Sequence, residues 1–460
     1  LDWLRRKHST GQWSMVKTSS WPMSTSWQNS SKNSVVNCKI TSLDGTWKVV
    51  ISECMLEGIY CRWQIWSLAV RSSAPVPLTP LRIETHRHTL KDRTHWHRVV
   101  PERIHNFGAG PAVLPLSVVN AVGEALPNLM DSGFGLCEIS HRSPTFQSVV
   151  DSAMERVRRV LSVPDDYTVL FLQGGASLQF YMTALNILNE GEKADFLVTG
   201  GWSQKALKEA GRIGDAEAIW NDADNSFKSV PSDGEYSVRE DAVYLHYTSN
   251  NTLYGTQYHH LPDSSGKPRI LDASSDIAGV PLDVSAHEVI YAGAQKNLGP
   301  SGVTLVILSP WAMERCGDNL PTMLDYNVHA SKGSLFNTPN TFGIFVLDQV
   351  FKWLEENGGL EGSIARNRAK ANLLYQELDR TDFWAPHAHK DSRSVMNVTW
   401  RLSNQELEPT FLQEAEAAGL GGLKGHRSVG GIRASLYNGC PMESVVALVD
   451  FMREFSARHN

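Results

Sequence analysis

The sequence predicts an α/β fold: a large domain built on a mostly parallel mixed sheet flanked by helices, followed by a smaller α+β C-terminal domain. Short β-branched and apolar runs recur between residues 168 and 308 with helical patterns between several of them, as parallel α/β sheets require. Beyond residue 363 the pattern changes to helix, strand, helix, strand, helix. Residues 1–103 share neither pattern.

The individual elements follow from local signals. In "SPTFQSVVDSAMERVRRVL", Ser143 suits an N-cap and Pro144 the first helical position, with apolar residues at Phe146, Val149, Val150, Ala153, Met154, Val157 and Val160. Buried strands are expected at "TVLFL" (168–172), "DFLV" (195–198), "AVYLHY" (242–247), "RILD" (269–272), "VIYAG" (289–293) and "VTLVIL" (303–308). A helix "IFVLDQVFKWLEENGG" stops at a glycine pair. The large domain is expected to span 104–362, with its first residues free to pack on the small domain, and the small domain 363–460. The small domain is expected to hold a long helix from Ser363, a strand "SVMNVTWRL", a helix closing at Gly419, a strand "IRAS" and a last helix from Pro441.

Residues 1–103 read as an irregular extension. Acidic residues are few there, serine is abundant, and eight of the 14 tryptophans fall in it. No sustained period of 2 or 3.6 is evident. An acid-poor, Ser-rich leader suits an organelle transit peptide, but the tryptophans and the length argue against one. The preferred reading is a poorly structured extension, poorly ordered or non-native, of which translated sequence upstream of the true start is one form.

Bulk properties exclude several function classes. The chain has 460 residues, 42% hydrophobic and 20% charged, and a formal net charge of −6. Without basic runs there is no reason to expect a nucleic-acid or membrane surface. No apolar run approaches the roughly 18 residues of a membrane span. The six cysteines form no C-x-x-C pair, so neither a zinc site nor a disulfide framework is indicated. A soluble, cytoplasmic protein in a reducing setting is expected.

The chemistry concentrates in three places. In "VIYAGAQKNLGPSGVTLVIL" a single lysine, Lys296, sits where the chain leaves and re-enters the core. Desolvation there lowers an amine's pKa and frees its nucleophilic form. Asp272 ends the strand "RILD", at the strand end where open α/β sheets bind ligands; an ordinary N-cap would look the same. Upstream, a strand runs into Gly174-Gly175-Ala176-Ser177 and then a helix, a backbone cradle suited to a phosphate but matching no nucleotide motif. Lysine for an aldehyde, carboxylate for a pyridinium nitrogen and helix start for a phosphate together match the needs of pyridoxal 5'-phosphate. Trp202, in "VTGGWSQKA", closes another strand and suits stacking on the ring. "EISHRSPTF" and "GHRSVGGIRAS" add His141, Arg142, His426, Arg427 and Arg433. Arginines in small-residue settings suit a substrate bearing both a carboxylate and a phosphate.

With those residues in hand, the chain from about residue 105 to the C-terminus resembles the phosphoserine aminotransferase family of class V pyridoxal-phosphate enzymes, in the aspartate-aminotransferase-like superfamily. The segments that carry the resemblance are "EISHRSPTF", "VIYAGAQKNLGPSG", "GSLFNTPNTF" and "LKGHRSVGGIRASLYN". The resemblance implies PLP transferase fold type I and amino transfer between L-glutamate and 3-phosphohydroxypyruvate in serine biosynthesis. It implies that Lys296 carries the Schiff base and acts as general acid/base, with Asp272 at the pyridine nitrogen and Trp202 stacking. Ala176 and Ser177 then give backbone N–H groups to the cofactor phosphate, with Thr252, Ser274 and Gln295 nearby. Asn337 and Thr338 reach the cofactor phosphate of the other subunit of a homodimer with shared active sites. Arg433 takes the substrate carboxylate; His141, Arg142, His426 and Arg427 take its phosphate. Some members carry an arginine where this chain has Ser177, so the phosphate grip rests more on Arg142, His426 and Arg427.

Two other readings stand beside this one. A cysteine desulfurase or related lyase on the same fold needs a reactive cysteine, but Cys440, before a Pro-started helix, looks structural, and Gln295 stands where desulfurases usually have histidine. A non-catalytic reading makes the Trp-rich first hundred residues a binding module.

Overall fold

The computed structural model describes residues 103–459, together with the backbone of six strands lying between residues 13 and 68. The chain divides into two units, Leu1–Glu102 and Arg103–Asn460. In the first, antiparallel neighbours run from Trp13–Lys17 through Ser24–Asn29 and Ser34–Leu43 to Thr46–Leu56. The sequence reading found no sustained alternation there. The rest of the expected extension lies outside the described residues.

The second unit is built on a seven-stranded sheet. Its strands are β1 (Thr168–Leu172), β2 (Lys193–Val198), β3 (Asp215–Asn221), β4 (Ala242–Thr248), β5 (Arg269–Asp272), β6 (Val289–Gly293) and β7 (Thr304–Leu308). In space the order is β3-β2-β4-β5-β6-β7-β1. The pairs from β3 through β6 are parallel, and β7 runs antiparallel to both its neighbours. All strands but β7 therefore point their carboxyl ends to one edge, where ligands collect in such sheets. β3 is the strand the sequence reading missed. It lies at the sheet's edge and most of its residues are half-buried or exposed, so "DAEAIWN" carries no continuous apolar run.

Helices cover both faces. Helix α1 (Leu116–Ala125), α2 (Pro144–Leu161) and α5 (Thr341–Glu356) seal one apolar layer with Leu271, Ile290 and Leu305. Helices α3 (Gly175–Ile187) and α4 (Gly201–Ala210) seal the other with Ile270, Tyr291 and Val306. Alternation along β5 and β6 thus feeds both cores, the pattern expected of strands buried on two faces. The N-terminus of α2 is as expected: Ser143 accepts a hydrogen bond from the Phe146 N–H at 3.2 Å, with Pro144 at the first turn.

The small C-terminal domain has its own core around Trp400, Phe411 and Phe455, which also takes in Phe107. Its sheet is antiparallel, in the order β8 (Trp384–Pro386), β9 (Asn397–Leu402), β10 (Ile432–Ser435). Helices α6 (Gly359–Leu378), α7 (Glu408–Ala417) and α8 (Met442–His459) complete it. Helix α6 begins four residues before the expected Ser363. Gly358, at φ 88°, both ends one helix and turns the chain into the next, so the glycine stop is shared. Among the described residues no helix is long and apolar enough to cross a membrane.

Replacing Ser143 with alanine removes the N-cap acceptor of α2. A loss of about 1 kcal/mol in unfolding free energy is the expected result of a denaturant titration, and an unchanged midpoint would show that the cap contributes nothing.

Candidate active site

The carboxyl ends of five strands place the chemistry. β1 delivers Gly174, β2 delivers Trp202, β4 delivers the turn holding Thr252, β5 ends in Asp272, and Lys296 follows β6 by three residues. Trp202 is not at a strand end as the sequence suggested: after Val198 the chain turns at once, and Trp202 is the second residue of α4.

Lys296 is the centre of the group. Its Nζ donates to Thr252 Oγ1 at 2.7 Å and lies 6.0 Å from the centre of the Trp202 ring. Burial pushes its pKa down to about 8, against the opposing field of Asp272, while the Arg433 charge adds to the lowering. A Cβ added to Gly110, whose φ is 135°, would lie 3.5 Å from Lys296 Cγ, so the 108–112 segment passes directly over the lysine stem. Ala112 N donates to Gln295 O at 2.8 Å and anchors that segment. The small residues of Gly108–Ala112 are the one local trace of this backbone cover.

Asp272 is 3% exposed, and its Oδ1 accepts from the Ser274 N–H at 3.0 Å. Burial raises its pKa, and the Lys296 charge opposes that rise. The lysine and carboxylate are therefore each pushed by desolvation toward neutrality and held toward charge by the other. Ser274 Oγ in turn accepts from Gly293 N at 3.2 Å, tying the end of β6 to the turn after β5. A second buried carboxylate, Asp276, was not singled out from the sequence. It accepts from Ser249 Oγ at 2.5 Å and Gln257 Nε2 at 3.0 Å, and burial pushes its pKa up to about 6.

Arg433, on β10, is 8% exposed. Its Nη1 donates to Thr252 O at 3.3 Å, and its Nε has no partner. No acidic side chain pairs with it among the described residues, and burial lowers its pKa. His426 lies in the turn before β10, with Nδ1 against Ser428 Oγ at 2.6 Å. Burial depresses its pKa, and Arg433, Arg427 and Lys205 depress it further. Lys205, one helical turn beyond Trp202 with its Nζ 4.1 Å from the ring centre, is a cation the sequence reading passed over. Arg427 is exposed.

The cradle ahead of α3 has the form expected of it. Gly174 takes φ 86°, a region that disfavours other residues, and α3 has no side-chain N-cap. The first N–H groups of α3, those of Ala176 and Ser177 among them, are left free for an anion. The indole Nε1 of Trp202 is buried and unpartnered as well.

For four expected site residues, no hydrogen bond or ion pair among the described residues links them to Lys296. His141 and Arg142 precede α2, and no hydrogen bond or ion pair among the described residues joins them to the lysine; His141 Nε2 is itself buried without a partner. Asn337 and Thr338 lie before α5, where Thr338 O accepts from Gln173 Nε2 at 3.3 Å. Cys440 is buried and its thiol is pushed up to about 11, which makes it inert.

Residues 104–448 match the family described as aminotransferase class-V. Curated phosphoserine aminotransferases from Desulfotalea psychrophila and Geobacillus kaustophilus are each 49% identical to the chain over 358 residues, covering 78% of this chain and 99% of theirs. The chain belongs to the phosphoserine aminotransferase family. Among solved structures, the phosphoserine aminotransferase from Bacillus circulans subsp. alkalophilus aligns with TM-score 0.76 and 45% identity, covering 78% of this chain and all of that one. The pyridoxal-phosphate-bound phosphoserine aminotransferase from Trichomonas vaginalis aligns with TM-score 0.73 and 34% identity over 76% of this chain. The match to the class-V aminotransferase family starts one residue after the second structural unit does.

In the cofactor-free chain, acylation of Lys296 followed by peptide mass spectrometry should rise through a midpoint near pH 8. Below it the amine is protonated and unreactive; above it the free base reacts. A midpoint close to the ordinary lysine value of about 10.4 would mean that the site does not desolvate the amine.

Proposed function

We propose that the chain is a pyridoxal-phosphate-dependent transaminase that moves an amino group between L-glutamate and 3-phosphohydroxypyruvate, giving 2-oxoglutarate and O-phospho-L-serine. One observation carries the reading beyond family membership: the amine of Lys296 and the unpaired, buried guanidinium of Arg433 are fastened to the side chain and the carbonyl of the same residue, Thr252. A reactive amine and a carboxylate anchor at fixed separation are what an α-amino or α-keto acid needs.

The residues fit the cofactor. Free N–H groups at the start of α3 suit its phosphate, the Trp202 ring its face, and Asp272 its ring nitrogen, with Thr252, Ser274 and Gln295 around them. When bound, pyridoxal phosphate supplies an aldehyde and an electron-accepting ring. The chain's own groups do the rest. Arg433 grips the α-carboxylate and fixes the orientation of the α-carbon toward Lys296. The Lys296 amine, with its pKa held near 8, takes the α-proton of glutamate and returns a proton to the α-carbon of the new amino acid. Asp272, kept from solvent, holds its proton or its charge according to what the ring nitrogen needs. His426 and Arg427 meet the far end of the substrate.

His141, Arg142, Asn337 and Thr338 serve the neighbouring subunit's site in a homodimer. Exposed apolar side chains in the same segments favour that: Met130 is 63% exposed, Phe134 58% and Phe336 38%. The composition and the free cysteines among the described residues, Cys137, Cys316 and Cys440, suit a cytoplasmic enzyme. A desulfurase reading finds no support in the inert Cys440.

The test is a visible absorbance spectrum of the purified protein loaded with pyridoxal phosphate, with and without O-phospho-L-serine, L-serine or L-cysteine. Bleaching by phosphoserine alone is expected; indifference to phosphoserine would discard the substrate. Lys296→Ala should abolish both turnover and the lysine-bound chromophore. Arg142→Ala should raise KM for the phosphorylated pair about tenfold or more and leave glutamate nearly unaffected; an equal loss with glutamate would contradict its role.

A further inference from the structure

Arg433 does not stand on the large domain that holds Lys296, yet catalysis needs the two groups at one separation. The connection runs through a closed turn. Asn251 N donates to Thr256 O at 2.7 Å and Gly255 N to Asn251 O at 2.9 Å, while Leu253 N donates to Asn251 Oδ1 at 3.1 Å. Thr252 rides on this turn, with Lys296 on its hydroxyl and Arg433 on its carbonyl.

The small domain fastens the same turn from the other side. β9 pairs with β10 so that Thr399 lies opposite Arg433 and Asn397 opposite Ser435. Thr399 Oγ1 donates to Tyr254 O at 2.6 Å. Asn397 Oδ1 accepts from Asn250 Nδ2 at 2.8 Å, and its own Nδ2 donates to Ser435 Oγ at 3.0 Å and Tyr437 OH at 3.1 Å. Asn250 Nδ2 also reaches Ser275 Oγ at 2.8 Å, three residues beyond Asp272. The contact leaves no slack: at Gly255, with φ 75°, an added Cβ would lie 2.6 Å from Asn397 O and 2.7 Å from Thr399 Oγ1. Asn250, Asn397 and Ser435 are each no more than 1% exposed. A satisfied buried network of this kind holds one geometry, because every alternative strands a polar group away from water.

We propose that Thr399 and Asn397 are positioning residues for Arg433: by clamping the 251–256 turn against β9 and β10, they set the distance between the guanidinium and the Lys296 amine, and with it the affinity for the substrate's α-carboxylate. The proposal rests on the reading of Arg433 as carboxylate anchor. Neither residue touches the substrate; both act through where the arginine stands, as supporting shells do in sites built to tolerances below 1 Å.

The experiment measures binding of glutarate, the dicarboxylate skeleton of glutamate without its amino group, to the cofactor-loaded enzyme by calorimetry. Thr399→Val keeps the side-chain shape and loses the donor; Thr399→Ser keeps the donor; Ser435→Ala removes an Asn397 partner on Arg433's own strand and serves if Thr399→Val does not fold. Thr399→Val and Ser435→Ala should weaken glutarate about five- to tenfold, equal to about 1 to 1.4 kcal/mol. Thr399→Ser should restore it, and the visible absorbance of the bound cofactor should stay unchanged throughout. Glutarate affinity within twofold of the parent in both weakened variants, with Arg433→Lys clearly impaired, would overturn the positioning role. Equal weakening in Thr399→Ser and Thr399→Val would overturn it too, since bulk and not the hydroxyl would then matter. Undiminished binding in Arg433→Lys would instead discard the carboxylate reading beneath it.

Discussion

The structure depends on one unfavourable placement: an ammonium group taken out of water at the carboxyl edge of a parallel sheet. Lys296 tolerates that because Thr252 Oγ1 accepts a hydrogen bond from its Nζ at 2.7 Å and Asp272 supplies an opposing charge. Desolvation outweighs both, so the amine gives up its proton at lower pH than an ordinary lysine does. The same low-polarity setting raises the pKa of Asp272. Were either group moved to the surface, the other would lose the partner that makes its burial tolerable.

The architecture explains why these groups meet. Parallel strands send successive chain reversals to the same edge, so residues 174, 202, 252, 272 and 296, far apart in sequence, end up along one edge of the sheet. The reversal of β7 lets the short 294–303 connection return directly into the sheet, which confines Lys296 to a tight turn between two fully buried strands. A small domain then contributes Arg433 from outside the sheet, and the 251–256 turn is the element both parts hold.

Charge is arranged with similar economy. Lys205 and Lys296 stand by the Trp202 ring, His426 feels the charges of Arg433, Arg427 and Lys205, and Arg433 has no acidic partner among the described residues. An anionic substrate is thus the missing countercharge. The acidic groups nearby, Asp272 and Asp276, are buried, each engaged by backbone or side-chain donors.

By itself the sequence determined what local chemistry can specify. The strands β1, β2 and β4–β7 announce themselves by short apolar β-branched runs, α2 by its Ser-Pro start, and the reactive lysine by its setting between two such runs. Strand β3 was not legible because an edge strand need bury little, and α6 began early because one glycine served two helices. Tertiary structure alone decided the partners: that Thr252 holds both Lys296 and Arg433, that Gly110 covers the lysine stem, and that Asp276 and Lys205 stand close by. Those outcomes depend on contacts between residues tens to hundreds apart in sequence, which periodicity and capping signals, being local, do not encode.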